Sequence, residues 1–258
     1  MAAALVMGIL NVTPDSFSDG GRYLDPDAAV AHGLDLWRAG AAYVDVGGES
    51  TRPGSEPPDE RTELARIEPV VSALVAEGVR VSVDTRRAVV AERAIGAGAS
   101  LLNDESASLH RVAAEAGVPW VAMHMLGEPA TMQDAPQYDD VVDEVCHFLV
   151  ERAEAALTDG VPEVWIDPGI GFGKTASHNL RLLAHLDALV ATGHPVLIGT
   201  SRKGFLGGLT GGARADDRLE ATIATGVWAA AAGSKMVRVH DVAPTVEAMR
   251  IVSEEVQL

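Results

Sequence analysis

Eight short apolar runs, each followed by a longer stretch of helical periodicity, restrict the folds open to this chain more than any other feature. The runs fall at 5–12, 43–46, 79–84, 100–103, 120–124, 164–167, 196–200 and 236–239. Helical patterns follow at 26–39, 62–76, 87–97, 109–116, 139–158, 180–191, 218–232 and 245–256. The runs are nearly continuous in Val, Ile and Leu instead of alternating with polar residues, as strands buried on both faces require. A glycine follows several helical patterns (Gly40, Gly78, Gly98, Gly117, Gly160, Gly193, Gly233), where a left-handed residue ends a helix. Eight βα units in 258 residues, without a break in composition, predict one domain spanning 1–258, a single (β/α)8 TIM barrel. A doubly wound open sheet is the competing architecture.

Polar residues gather where the apolar runs end. The ends carry Asn11, Asp45 to Arg52, Asp84-Thr85, Asn103-Asp104, His124, Asp167, Ser201-Arg202-Lys203 and Arg238 to Asp241. A single Asp or Ser after a strand is usually a helix cap. Polar groups after all eight runs exceed what capping explains and match a barrel, whose chemistry sits at the strand C-termini.

The sixth run enters Asp167-Pro168-Gly169-Ile170-Gly171-Phe172-Gly173-Lys174. This is not a Walker A loop, because Pro168 stands where the first glycine belongs, and its G-x-G-x-G spacing is not the dinucleotide fingerprint. Its glycines fit backbone crowding at a rim better than phosphate cradling. Lys174 reads as a structural or solvent-facing residue.

Three constellations follow. Asp84, Asn103, Asp167 and Lys203 have the acceptors and donors to hold a planar heterocycle such as a pterin or purine; the competing reading is a structural Asp–Lys ion-pair network. Arg52, Ser201, Arg238 and His240 suit a phosphate or pyrophosphate; the competing reading pairs Arg238 with Asp241. The segments 11–21 and 48–58, which carry Phe17, Thr51 and Arg52, have the length of lids; exposed connectors are the alternative.

Composition narrows the partners. With 20 Lys and Arg against 37 Asp and Glu, the formal charge of −17 argues against nucleic acid and anionic membranes. The one cysteine, Cys146, excludes a disulfide framework. No basic leader or membrane-length apolar run is seen, so a cytoplasmic protein is expected. His124 and His240 lack metal-site spacing; Mg²⁺ carried mainly by substrate phosphates, with Asn11 as a protein ligand, is the metal that fits.

From Met7 to about Val242 the chain resembles the dihydropteroate synthases of the folate pathway. The motifs are Gly8 through Gly21, Asp45 through Gly54, Ser82-Val83-Asp84-Thr85, Asn103-Asp104, Met123-His124-Met125, Asp167 through Lys174, Ser201-Arg202-Lys203 and Arg238-Val239-His240-Asp241. The resemblance implies condensation of 6-hydroxymethyl-7,8-dihydropterin pyrophosphate with p-aminobenzoate, releasing pyrophosphate through an SN1-like displacement. It implies that Asp84, Asn103, Met123, Asp167, Lys203 and Arg238 hold the pterin, with Asp84, Asp167, Lys203 and Arg238 serving catalysis. By the same carry-over, Phe17, Thr51, Arg52, Pro53, Phe172 and Ser201 frame the p-aminobenzoate site. Asn11, Arg52, Ser201, Arg238 and His240 meet the pyrophosphate, and Asn11 contributes to Mg²⁺. A homodimer and sensitivity to sulfonamides are implied as well.

One segment departs from the family pattern. After Asn103-Asp104 the family usually has Val-Ser-Gly, where this chain has a shorter Glu105-Ser106-Ala107-Ser108-Leu109-His110. The favoured reading is a tolerated loop deletion. The departure also motivates a paralogue with altered aryl-amine choice, or a non-catalytic pterin-binding protein. A pterin-dependent methyltransferase domain is a further alternative, which lacks the Thr-Arg-Pro and Ser-Arg-Lys motifs present here.

Overall fold

The computed structural model describes residues 4–13, 25–50 and 57–253. The eight expected runs form strands: β1 Leu5–Asn11, β2 Tyr43–Gly47, β3 Val81–Asp84, β4 Leu101–Asp104, β5 Trp120–Met123, β6 Val164–Asp167, β7 Leu197–Ile198 and β8 Met236–Val239. All pair in parallel in the order β6-β5-β4-β3-β2-β1-β8-β7. A parallel bridge between Ile166 and Val196 joins β6 to the residue before β7 and closes the circle. The architecture is a TIM barrel, and the doubly wound alternative is excluded.

Successive strand residues face opposite sides, and the two sides do different work here. Met7, Tyr43, Leu101, Val121, Trp165, Leu197 and Met236 form a separate apolar cluster. They plug the barrel near the N-terminal ends of its strands. The intervening residues, among them Leu102, Trp120, Ile166 and Val237, pack into the larger core that includes the helices. Each fully buried large side chain of this kind stabilises the fold by about 1.5–3 kcal/mol. Two residues beyond the plug, the inward positions turn polar: Asp45, Asn103, Asp167 and Arg238. The strand alternation therefore delivers a dry floor and a polar mouth from the same strands.

The helices are α1 Pro26–Arg38, α2 Glu60–Ala76, α3 Ala88–Gly96, α4 His110–Ala116, α5 Val141–Thr158, α6 Ala176–Ala184, α7 Leu186–Val190, α8 Gly204–Leu209, α9 Leu219–Ala231 and α10 Val242–Ser253. The expected 180–191 helix is two, broken at His185, and α6 starts earlier than expected. Thr175 caps it: its hydroxyl accepts from His178 N, while Thr175 N donates to His178 Nδ1. This capping box uses His instead of the usual Glu or Gln, so the sequence signal was weak. The short α8 was not expected, since three of its six residues are glycine. Among the described residues no helix is long and apolar enough to cross a membrane.

Candidate active site

The polar mouth is a cavity of about 1100 Å³ at the C-terminal ends of the strands. Ten of the expected residues line it together: Asn11, Asp84, Asn103, Met123, Asp167, Phe172, Ser201, Lys203, Arg238 and His240. The expected Phe17, Thr51, Arg52 and Pro53 lie outside the described residues.

Arg238, on β8, ties three strands together. Its Nε donates to Asp45 Oδ2 at 2.5 Å and its Nη2 to Asp84 Oδ2 at 2.5 Å. Asn103 Nδ2 donates to the same Asp45 oxygen at 3.0 Å. The carboxylate pairing considered for Arg238 thus exists, but with Asp45 and Asp84 rather than Asp241. Asp241 instead accepts two bonds from Arg202, at 3.1 and 2.7 Å. No Asp–Lys salt bridge occurs among the described residues, so the network reading fails in that form.

Asp45 was not singled out from the sequence. It is fully buried, and its Oδ1 has no hydrogen-bond partner. The available signal was an acidic residue inside the otherwise apolar Tyr43-Val44-Asp45-Val46. A buried carboxylate is tolerated only when paired, so a cation from another strand was to be expected.

Burial sets the protonation of the mouth. It pushes Asp84 up to about 7, against the pull of Arg238 and with the help of the Asp45 and Glu63 charges. Burial likewise raises Asp167, opposed by the Gly169 N–H and by Lys203. Lys203 is brought down to about 8 by burial and by Arg238. Burial also works against the Arg238 charge, but Asp45 and Asp84 more than offset it and raise its pKa.

The 167–174 loop is held rigidly. Asp167 Oδ1 accepts from Gly169 N at 2.7 Å, and Asn179 Oδ1 accepts from Gly171 N at 2.8 Å. Tyr138 OH donates to Gly173 O at 2.9 Å. A Cβ on Gly169, whose φ is +64°, would lie 1.9 Å from His124 O, and one on Gly173 would lie 2.4 Å from Leu126 O. The glycines are there because this loop crosses directly over the backbone after β5. Phe172 projects into the mouth, with Lys203 Nζ 4.0 Å from its ring centroid in a cation–π contact. Across the rim, Ser201 Oγ lies 2.9 Å from His240 Nδ1 and accepts from His240 N at 3.1 Å.

Lys174 takes the first of its two expected roles, and Glu105 differs from expectation. Lys174 is only 3% exposed, not solvent-facing. Its Nζ lies 2.9 Å from His124 Nδ1 and donates to Phe172 O at 3.0 Å, so its role is structural. Burial lowers Lys174 to about 7, and burial with the neighbouring Lys174 lowers His124 to about 3. Glu105 is not part of a merely tolerated surface loop: it is 7% exposed and lines the mouth.

At the root of the second rim segment, Glu49 pairs with Arg86 at 2.9 Å and Arg87 at 2.6 Å. Arg87 also holds the fully buried Glu63 and donates to Pro58 O at 2.7 Å. Glu49 and Pro58, on either side of residues 51–56, are therefore tied to the residues that lead into α3, and Arg87 links them to α2 through Glu63.

Residues 7–240 match the family described as pterin binding enzyme. The chain is 50% identical over 265 residues to the dihydropteroate synthase of Mycobacterium leprae, covering 98% of this chain and 93% of that protein. The solved Yersinia pestis dihydropteroate synthase with a sulfonamide drug superimposes with a TM-score of 0.93 at 43% identity, covering 97% of this chain and 94% of that one. The Xanthomonas albilineans enzyme with 4-aminobenzoic acid gives 0.89 at 47% identity, covering 97% and 92%. The chain belongs to the dihydropteroate synthases, transferases of folate biosynthesis within the pterin-binding enzymes.

Proposed function

We propose that this chain joins 6-hydroxymethyl-7,8-dihydropterin pyrophosphate to p-aminobenzoate in the barrel mouth, forming 7,8-dihydropteroate and pyrophosphate. The observation that carries the reading is the convergence of Asp84, Asn103, Asp167, Lys203 and Arg238 on one cavity, in a chain of this family. The carbon–oxygen bond at the pterin methylene breaks and pyrophosphate leaves with the electron pair. The amine lone pair forms the new carbon–nitrogen bond, and the nitrogen gives up a proton. No protein nucleophile is needed.

In this reading Asp84, Asn103 and Asp167 accept from the polar edge of the pterin, and Met123 packs against the ring. The carboxylates also stabilise the positive charge that develops as the leaving group departs. Lys203 donates to the pterin, and Arg52, Ser201, Arg238 and His240 face the departing anion. Phe172 and Ser201, with Phe17, Thr51, Arg52 and Pro53, frame the amine, and closure of the rim keeps water from the cation.

Among the described residues there is no cluster of three or more His, Cys, Asp or Glu that fits a metal. The Asn11 amide, at the end of β1 and on the cavity wall, fits a Mg²⁺ whose remaining ligands are phosphate oxygens and water. Bound there, Mg²⁺ supplies charge neutralisation to the leaving pyrophosphate. One domain over 1–258, a homodimer, a cytoplasmic location and sulfonamide sensitivity belong to the same proposal.

The test is pyrophosphate release from the pterin pyrophosphate with Mg²⁺, with and without p-aminobenzoate. Amine-dependent release is expected. Pterin binding without release would instead favour a non-catalytic binding protein.

The pH profile is a second expectation. Asp84, raised to about 7, must be ionised to stabilise the cation, and Lys203, lowered to about 8, must be protonated to hold the pterin as a charged donor. The kcat/KM for the pterin substrate should rise through the first value and fall through the second, as a coupled pair with a narrow bell. A flat profile between pH 6 and 9 would remove both residues from the rate-determining chemistry.

A further inference from the structure

Glu105 is a group for which the reaction described above has no use. It continues the inward series of β4: Leu101 in the barrel plug, Asn103 in the mouth, then Glu105 two residues on. The turn after β4 is tightly built. Asp104, pointing the other way and fully buried, accepts from Ser106 N at 2.9 Å and Ser106 Oγ at 2.6 Å on one oxygen. On the other it accepts from Ser108 N at 2.8 Å, Leu109 N at 2.7 Å and Trp120 Nε1 at 3.1 Å. With Ala107 at a φ of 49° the chain turns sharply away. The shortened segment therefore fixes where Glu105 sits.

The Glu105 carboxyl is not part of this scaffold. No described residue hydrogen-bonds it, although the residue is 7% exposed and borders both the mouth and a side cavity of about 270 Å³. The cations that face it are engaged elsewhere. Arg238 serves Asp45 and Asp84, Arg86 serves Glu49 and Glu128, and Lys203 sits over Phe172. The remaining charged neighbours, Asp84 and Glu49, are acidic, and with burial they raise the Glu105 pKa well above the ordinary carboxyl range. Its acid form offers a donor as well as an acceptor. A carboxyl that opens on the cavity wall and bonds nothing in the scaffold has no structural purpose there.

We propose that Glu105 is a specificity-determining contact of the barrel mouth, its carboxyl hydrogen-bonding the heterocycle substrate held beside Asp84, Asn103 and Lys203. The inference rests on the functional reading above and adds a residue to it.

The test compares wild type with Glu105→Leu, which keeps the volume and removes both oxygens, and Glu105→Gln, which keeps a donor and an acceptor. Steady-state KM is measured for each substrate, with thermal midpoints alongside. Glu105→Leu should raise the KM for the pterin pyrophosphate about tenfold, the usual cost of one buried hydrogen bond to substrate, and leave that for p-aminobenzoate unchanged. Glu105→Gln should raise it less, by about twofold or more, and neither variant should melt below wild type. If Glu105→Leu does not fold, the Gln variant alone decides. An unchanged pterin KM overturns the contact while the functional reading stands, as does a rise for both substrates with a lowered midpoint. Wild type that releases no pyrophosphate overturns both.

Discussion

Asp167→Asn should leave the barrel folded and weaken binding of the pterin pyrophosphate about a hundredfold or more, the scale of charge-assisted hydrogen bonds lost at a buried site. The substitution is nearly isosteric, and an Asn oxygen still accepts the Gly169 N–H that Asp167 Oδ1 now takes at 2.7 Å. The loop over β5 therefore keeps its anchor, along with the Asn179 and Tyr138 bonds that brace it. The second oxygen is what changes. It becomes an amide NH₂ in a mouth where Lys203, Arg238 and Lys174 supply the field around Asp167. A donor then faces cations, and a pterin N–H meets a donor instead of an acceptor. The negative charge that offsets the developing methylene cation is also gone, so kcat should fall together with affinity. Calorimetric titration with the pterin pyrophosphate separates the two effects. Unaltered affinity in a folded variant would remove Asp167 from the pterin pocket.

The same residue shows how much the sequence made legible and where it stopped. Asp167 ends an apolar run and opens a glycine loop, so strand, rim position and backbone crowding all followed from local pattern. The eight strands fell within a few residues of their expected positions because alternation of apolar runs and helical periodicity is a local signal. The strand expected at 196–200 shrank to Leu197–Ile198, since ladder length depends on where neighbouring strands diverge. Pairings across the barrel were not legible. Arg238 and Asp45 are 193 positions apart, and nothing near either names the other. Glu105 shows the same gap: its neighbours suggested a loop, and only the register of β4 shows that residue 105 follows 101 and 103 inward. The 51–56 segment, on which Thr51, Arg52 and Pro53 fall, lies outside the described residues. For Lys174 the sequence left a structural and a solvent-facing role open, because a lysine after a glycine loop is ordinarily solvated, and only its contacts to His124 and Phe172 decide for the structural one.

Arg238→Met should abolish measurable turnover and destabilise the free enzyme, and the loss of stability should depend on pH in a defined direction. Removing one partner of a buried ion pair costs about 3–5 kcal/mol because the other partner stays buried and uncompensated. Here two partners are left: Asp45, fully buried with only Asn103 still donating to it, and Asp84. Asp84 already stands near 7 with Arg238 pulling it down, so without the guanidinium it rises further. A carboxyl whose folded pKa exceeds its unfolded value keeps a proton that the unfolded chain has released. Stability then falls as pH climbs from the unfolded pKa, about 4, toward the folded one. At pH 5 the variant protonates Asp84 and recovers part of what it lost. At pH 8 it holds uncompensated charge or carries the cost of keeping the proton. The midpoint deficit against wild type should thus be larger at pH 8 than at pH 5, by several degrees for a chain of this size at about 2–4 °C per kcal/mol. Thermal unfolding of both proteins at the two pH values measures it. Equal deficits would mean that Arg238 is held by shape alone, and that the Asp45–Arg238–Asp84 bridge does not set the charge of the mouth.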